Sequence, residues 1–469
     1  MARSDPHPSS NPHSSSNPDP SSDPDPSHGP EFHIVVFGAT GFTGRLVAAH
    51  LVDTHGVEGK AGDGSGAETG SSLRWALAGR SRSRLEAVRS ELGAPATLPL
   101  VVADASDPAS LSAMVRRTRV VITTVGPYAR YGEPLVAACA EAGTDYVDLS
   151  GEPVWMARMI QRHSARARNS GARIVFSCGF DSLPFDLGVR LAQEEGQRRL
   201  GSPIRRVRGR VRRVRGTLSG GTVQSLAVSV DEARADPEAR RLMGNPYALT
   251  EGFRGPRQPR LRGPARDPVT GEWMTPFLMS GINVKNVHRT QFLLGHPSGE
   301  DFLYEETQCT GKGVRGRLRA GLIHFLVRTL VLGVALRPTR RLLERFVLPA
   351  PGEGPDAEAR EAGYYDLLFQ GETEDGRTIR VRVGASEDPG YLSTSRMLAE
   401  SGVALALEVD RSRTPGGIWT AGSALGLGLL PRLREHARLQ AEVLDVDAPA
   451  AGGAVGGTAG ETAGGEGER

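Results

Sequence analysis

Three glycines spaced three apart, Gly38, Gly41 and Gly44, follow directly on the apolar run Ile34–Phe37. Each glycine has a distinct physical use in such a turn. The first allows a tight bend off a strand, the second lets backbone N–H groups approach a pyrophosphate, and the third lets the following helix sit close to its sheet. The helix would point its positive end at the phosphates. Gly38, Ala39, Thr40, Gly41, Phe42, Thr43 and Gly44 are therefore the expected phosphate cradle of a dinucleotide site.

The second predicted strand ends Ala78-Gly79-Arg80-Ser81-Arg82. A carboxylate here would take a ribose 2′-OH and repel a 2′-phosphate, whereas an arginine pairs with the phosphate. The expected cofactor is NADP(H), with Arg80 and Ser81 on the 2′-phosphate and Arg82 or Arg84 as outer charges. Asp104, just past the third strand, is the candidate for the adenine edge. Gly126 and Pro127, at the end of the fourth strand, should lie beside the cofactor, with Gly126 permitting close approach. Tyr128 after them can stack, donate a proton, or simply fill the interdomain cleft.

Other chemistries are limited by what the chain lacks. Lys60, Lys285 and Lys312 are the only lysines among 57 cationic residues, and the positions four before them hold Gly56, Gly281 and Gln308. The Tyr-x-x-x-Lys pair of short-chain reductases is absent. No HExxH occurs and the histidines have no metal-ligand spacing, so no metal is expected. Cys178 ends the sixth predicted strand, where a nucleophile would suit a semialdehyde or acyl-phosphate reductase. No histidine lies close in sequence to activate it, and small buried cysteines are common at strand ends.

The elements that must position these residues alternate. Strands are predicted at Ile34–Phe37, Leu73–Ala78, Leu98–Ala103, Val120–Val125, Asp145–Leu149 and Arg173–Ser177, with helices between them, which means a doubly wound parallel sheet closed by the sixth strand. The pattern then changes. Arg206–Val214 alternates charged and apolar residues, as a half-exposed antiparallel strand does. Further strands are expected at Phe292–Leu294, Phe302–Thr310, Asp366–Glu372 and Arg377–Gly384, the last two joined by a hairpin turn, with helices at Tyr391–Glu400 and Leu425–Ala441. The fold class is α/β: an N-terminal Rossmann sheet plus a second α+β domain with an antiparallel sheet. The predicted organisation is a disordered tail over 1–31, the nucleotide domain over 32–178, the substrate domain over 179–415, a helix returning to the first domain over 416–445 and a disordered tail over 446–469. Gly56–Ser72 reads as a surface insertion.

A chain of 469 residues with 38% apolar residues can build two or three domains. Net charge is +3, and the basic strand Arg206–Arg212 lacks interleaved aromatics, so nucleic acid is not an expected partner. That strand could attract an acidic carrier protein or anionic lipid. Three dispersed cysteines without a CxxC pair suit a reducing cytoplasm, and the N-terminal tail lacks the apolar core of a signal peptide. Gly321–Leu336 is strongly apolar with arginines on both flanks. It reads as a buried helix of the second domain; the alternative is a lipid-facing or membrane-interface helix over 321–336, making the protein peripheral to a membrane.

The run Gly38–Gly44, the Gly126-Pro127-Tyr128 turn, the segment Asp145–Glu152 and the segment Cys178–Gly188 together resemble the saccharopine dehydrogenase-like oxidoreductases. Within that group the chain looks most like the bacterial trans-acting enoyl reductases, and Ser219–Thr222 and Gly416–Thr420 fit the same group. The likeness covers about residues 33–440. It implies an NADP-binding Rossmann domain, a second α/β domain, and reduction of a carbon–carbon double bond in an acyl thioester carried by a polyketide synthase. No defined acid–base pair comes with it. Tyr128, Asp181 and Ser182 are the expected polar set around the thioester, with Glu152 behind; Asp181 and Asp186 could instead cap helices. Two alternatives stand beside this reading: an NADP-dependent imine or aldehyde reductase of saccharopine dehydrogenase type, and a non-catalytic NADP(H)-binding, lipid-associated protein.

Overall fold

The computed structural model describes residues 29–57, 73–216, 219–336, 338–339 and 354–447. The predicted tails before position 29 and after 447, and the insertion from 58 to 72, lie outside the described residues.

The apolar runs become parallel strands because both of their faces are covered. The first sheet has the order β13-β6-β5-β4-β1-β2-β3. Its strands are β1 (Phe32–Phe37), β2 (Trp75–Gly79), β3 (Leu100–Val102), β4 (Thr118–Thr123), β5 (Asp145–Val147), β6 (Arg173–Phe176) and β13 (Gly417–Thr420). All pairs are parallel. Alternate residues face opposite ways: Ile34 and Val36 enter one core, Val35 and Phe37 the other. Helices α1 (Phe42–His55), α2 (Arg82–Glu91), α3 (Pro108–Arg116), the single turn α4 (Tyr128–Tyr131), α5 (Glu133–Ala142) and α6 (Pro153–Ser170) make the crossovers.

The sixth strand does not close this sheet. Gly417–Thr420 pairs with Arg173–Phe176 as a seventh strand. A four-residue strand more than 200 residues away in sequence has no local signature. Its tight seat is visible only in space: a Cβ on Gly416 would stand 2.4 Å from the Ala167 carbonyl oxygen of α6.

The second sheet has the order β14-β12-β11-β7-β10-β9-β8. It contains β7 (Ile204–Arg215), β8 (Ala265–Arg266), β9 (Trp273–Pro276), β10 (Leu303–Gly311), β11 (Tyr364–Thr373), β12 (Thr378–Ala385) and β14 (Gln440–Asp447). It is antiparallel except that β7 and β10 run parallel. Helix α7 (Leu183–Leu200) leaves β6 and lies on this sheet, where Gly188 lets the Phe369 ring approach so closely that a Cβ would stand 2.2 Å from it. The remaining helices are α8 (Gly220–Ala235), α9 (Pro237–Gly244), α10 (Ser280–Leu293), α11 (Gly313–Ala335), α12 (Ala357–Glu361), α13 (Thr394–Leu407), α14 (Ala421–Ala424) and α15 (Leu430–His436).

Several expectations need correction. Phe292–Leu294 is the end of α10, not a strand; three apolar residues are too few to separate strand from helix by period. Leu425–Ala441 is not one helix: it is a short 3₁₀ turn, α15, and then β14, which joins the second sheet and runs through Val446 and Asp447. Tyr391–Glu400 divides into a π-type turn, Pro389–Ser393, and α13, which packs on the first sheet, where Gly402 approaches Ile122. The basic strand is largely neutralised. Arg210 is fully buried on Asp267 and Glu305, Arg208 pairs with Glu372 and Arg212 lies 3.7 Å from Asp366, while Arg213 and Arg215 stay exposed at the end of β7. Gly321–Leu336 falls within α11, but the helix is not buried. Phe325 is 64% exposed, and of the helix only Gly316, Ala320, Val334 and Ala335 are buried.

Candidate active site

The glycine turn has the geometry that its spacing predicts. Gly38 has φ +92°, and a Cβ there would stand 2.8 Å from Thr124 Oγ1. Its N–H and that of Ala39 donate to the Ala78 carbonyl, tying the turn to β2. A Cβ on Gly44 would stand 2.1 Å from the Gly38 carbonyl oxygen, so the helix can pack here only as glycine. Gly41 differs. A Cβ there would meet only the Gly38 oxygen, at 3.3 Å. The open side of Gly41 is where a phosphate can approach. No side chain caps α1, and its first turn carries no acid, so the positive helix end remains available to an anion. Thr40, Phe42 and Thr43 stand in the same turn, and the Phe42 ring meets Tyr391 edge-on at 4.9 Å.

Arg80 directly follows β2, is exposed, and makes no ion pair within the described residues. An exposed cation just past a strand end, near the Asp104 carboxylate, fits a 2′-phosphate. Ser81 caps α2, its hydroxyl accepting from the Arg84 N–H at 3.4 Å. Asp104 accepts from the Ser106 N–H and hydroxyl; these bonds, with the charge of Arg80, hold its carboxyl below the usual range.

A cavity of about 440 Å³ opens next to this turn. Thr43, Gly126 and Pro127 line it from the nucleotide side; Asp181, Ser182 and Lys285 line it from the other. Arg80, Ser81 and Asp104 are not in its wall, as expected for groups that would meet the far end of a dinucleotide. The wall changes domain at the turn between β6 and α7. There Ser177 adopts φ +62°, held by its N–H on Asp148 and its hydroxyl on the Ser150 carbonyl at 2.6 Å.

The predicted polar set divides. Tyr128 is buried against Trp155; its hydroxyl donates to the Thr123 carbonyl and accepts from the Leu149 N–H, both at 3.3 Å. Burial and the neighbouring Asp148 charge push its pKa well up. These contacts brace Tyr128 between the end of β4 and the segment after β5, in the wall of the cavity. Glu152 accepts from the Tyr128 and Ala129 N–H groups and from the Ser225 hydroxyl of α8, so it fixes the turn after Pro127 and joins it to the second domain. Ser182 donates to Asn283 at 2.9 Å, and Asn283 donates to Glu306, which also accepts from Tyr304. Burial raises Glu306 to about 8. Ser182 therefore ends a buried chain of polar groups. Asp181 faces the cavity with only Thr222 as a hydrogen-bond partner, at 3.4 Å, and desolvation raises it to about 6. Asp186 caps nothing at the start of α7. Its carboxylate accepts from Thr290 and the Gly422 N–H and ties α7 to α10 and α14.

Two further residues matter. Lys285, on α10, is buried and contributes to the cavity wall. It donates to the Met243 and Gly281 carbonyls at 3.0 and 2.7 Å, leaving one of its three N–H bonds unassigned. Burial lowers its pKa to about 8. The available sequence signal was the retention of a lysine in so arginine-rich a chain. Cys178 is no nucleophile: it is fully buried, its Sγ faces backbone carbonyls, and burial pushes its thiol far up.

One group of side chains among the described residues has metal-ligand proximity: His50, His55 and Glu400. Both imidazoles bond one carboxylate oxygen, at 2.6 and 2.9 Å, and Arg432 holds the other at 2.7 Å. Glu400 thus joins two imidazoles and Arg432 at the C-terminal half of α1, away from the glycine turn.

Residues 34–175 match the model of the saccharopine dehydrogenase NADP binding domain, so the cradle and Arg80 belong to an NADP-binding domain. A Mycobacterium tuberculosis (strain ATCC 25618 / H37Rv) protein provisionally named as a trans-acting enoyl reductase is 42% identical over 419 residues, 86% of this chain and 95% of its own. The trans-acting enoyl reductase of Mycobacterium bovis (strain BCG / Pasteur 1173P2) is 41% identical over 86% of this chain and 96% of its own. Among solved structures, apo saccharopine dehydrogenase (L-Glu forming) from Saccharomyces cerevisiae aligns at 13% identity with a TM-score of 0.49, over 88% of this chain and 99% of that one. The chain belongs to the family of trans-acting enoyl reductases, oxidoreductases with a saccharopine dehydrogenase-type NADP-binding domain.

Proposed function

We propose that this protein reduces the double bond of an enoyl thioester, in trans, on an acyl chain carried by a separate polyketide or lipid synthase in the cytoplasm. The observation that carries the reading is the single cavity that joins the phosphate turn at Thr43 and Gly126 to a desolvated acid, Asp181, and a buried amine, Lys285. NADPH, when bound, supplies the hydride for the β-carbon. The glycine turn and the start of α1 hold its pyrophosphate, and Arg80 its 2′-phosphate. Pro127 and the Glu152-braced turn behind it shape the wall on the nucleotide side.

The remaining chemistry belongs to the cavity wall. Hydride addition leaves negative charge on the thioester oxygen, which a nearby cation stabilises in a water-poor site. The Lys285 ammonium, lowered to about 8, is still largely protonated at neutral pH and close enough in pKa to give up a proton. We assign it delivery of that proton to the α-carbon. Asp181 and Ser182 orient the acyl chain at the start of α7. The test is NADPH oxidation with an enoyl thioester on a carrier domain, with the acyl product gaining two hydrogens by mass spectrometry. Lys285→Met should cut turnover about a hundredfold or more, and wild-type turnover should fall as pH rises through about 8. Tight NADPH binding without turnover of any enoyl, imine or aldehyde acceptor would instead support a nucleotide-binding protein without catalysis.

A further inference from the structure

Helix α11 spans 23 residues, an 18-residue stretch of it has a mean hydropathy of 1.6, and by length and composition it could cross a membrane. It does not sit in the core. Of the twelve most exposed large apolar side chains among the described residues, seven belong to it or its C-cap, from Val314 at 74% to Leu336. Soluble surfaces rarely gather so much apolar area without a partner.

The arrangement around the helix is directional. At 3.6 residues per turn, Val314, Leu318, Leu322, Phe325, Leu326 and Leu332 fall within an arc of about 120°. Gly316, Ala320 and Val334 lie on the opposite side, where the helix is buried against β9, β10 and α8. Arg317 and Arg328 flank the apolar stripe on one edge and Arg319 on the other, while Arg315 falls inside the arc at the first turn of the helix. From Lys312 to Arg345 the sequence has nine cations against the single Glu344, a net +8 in a chain whose total is +3.

We propose that α11 lies in the plane of an anionic lipid surface, with its apolar stripe among the upper acyl chains and its arginines at the phosphates. An apolar stripe between two cationic edges is the pattern of an interfacial helix. The contacts with β9, β10 and α8 on the opposite side favour a helix that lies in the surface over one that spans it. Two features favour lipid over a protein partner. The stripe is built of Leu, Val and Phe around one neutral polar side chain, Thr329, whose hydroxyl is already bonded to the Phe325 carbonyl, and the charge on the helix is of one sign. The location also has a use. Helix α8 packs on α11, and its Arg234 bonds the Ala335 carbonyl. The other side of α8, at Thr222, Ser225 and Ser229, lines the cavity. A surface-docked α11 holds the cavity wall one helix away from the acyl phase. The docking itself does not depend on the reaction assigned above.

The test uses the full-length protein with sedimented vesicles of phosphatidylcholine, with and without phosphatidylglycerol. Wild type should bind the anionic vesicles and bind neutral ones at least about tenfold more weakly. Leu322→Glu/Phe325→Glu changes two exposed side chains; it should keep NADPH affinity, which reports the fold, and lose about tenfold or more in vesicle binding. Arg315→Gln/Arg319→Gln keeps the apolar stripe and should lose only the preference for anionic lipid. Wild type that stays in the supernatant with anionic vesicles overturns the proposal, as does equal binding by the Glu variant. A dimer in light scattering that the Glu variant dissolves, without vesicle binding, overturns it in favour of a second copy. Failure of the enoyl reductase assay leaves these outcomes unaffected.

Discussion

Gly41 and Gly44 stand three residues apart in one turn, yet alanine at each should fail differently. At Gly44 the added Cβ would stand 2.1 Å from the Gly38 oxygen and 2.8 Å from its carbon. Both are backbone atoms of a turn pinned to β2 by two hydrogen bonds, so α1 must lift off the sheet. Such overpacking costs roughly 1–3 kcal/mol, and a fixed carbonyl puts it at the upper end; the helix-propensity gain of alanine returns about 1 kcal/mol. Gly44→Ala should therefore lose about 2 kcal/mol of stability and displace the helix end that meets the phosphates. Gly41 has φ −79° and ψ 163°, an extended conformation open to any residue, and its Cβ would meet one atom at 3.3 Å. Gly41→Ala should cost under about 1 kcal/mol, the loss at an N-cap. Its Cβ would nevertheless occupy the side that a pyrophosphate approaches, so NADPH affinity should fall about tenfold or more, ~1.4 kcal/mol. Urea melts and NADPH fluorescence titrations on both variants read the two quantities separately. If Gly41→Ala binds NADPH as wild type does, the phosphates do not lie on this turn, and the cradle assignment fails.

Arg80→Ala should lower NADPH affinity about tenfold and leave NADH affinity unchanged, the modest size reflecting an exposed cation; an equal loss for both nucleotides would remove Arg80 from the 2′-phosphate. Tyr128→Phe deletes two long hydrogen bonds, so it should cost about 1–2 kcal/mol in melts while keeping turnover within roughly threefold; a collapse of turnover with normal stability would restore it as the acid. Glu306 is raised to about 8 by burial, above the ~4.3 of an unfolded glutamate. The folded state therefore holds a proton that the unfolded state has released. Stability supplied by the neutral acid is complete below about pH 4 and is lost as pH rises to about 8. Glu306→Gln lacks this dependence, and its melting temperature should gain on wild type between about pH 5 and pH 9; parallel pH profiles would show that Glu306 does not titrate there.

What the sequence determined by itself was local or periodic. Continuous apolar runs at Ile34–Phe37 and Val120–Thr123 read as buried parallel strands because a strand covered on both faces has no polar side to show. The glycine spacing and Arg80 at a strand end identified the nucleotide half, since that recognition is built from one turn and the ends of neighbouring strands. The hairpin at β11 and β12 was legible from its turn residues. The tertiary structure decided whatever depends on a distant partner. Gly417–Thr420 becomes a seventh strand only because β6 offers it a free edge. Tyr128 is braced where it stands only because the Thr123 carbonyl and Leu149 N–H close on its hydroxyl. Lys285 enters the cavity wall from a helix with no motif around it, and its pKa falls because the fold removes water. The apolar residues of α11 read as core and lie at the surface, because hydropathy records what a side chain prefers and not which face the neighbouring elements leave uncovered.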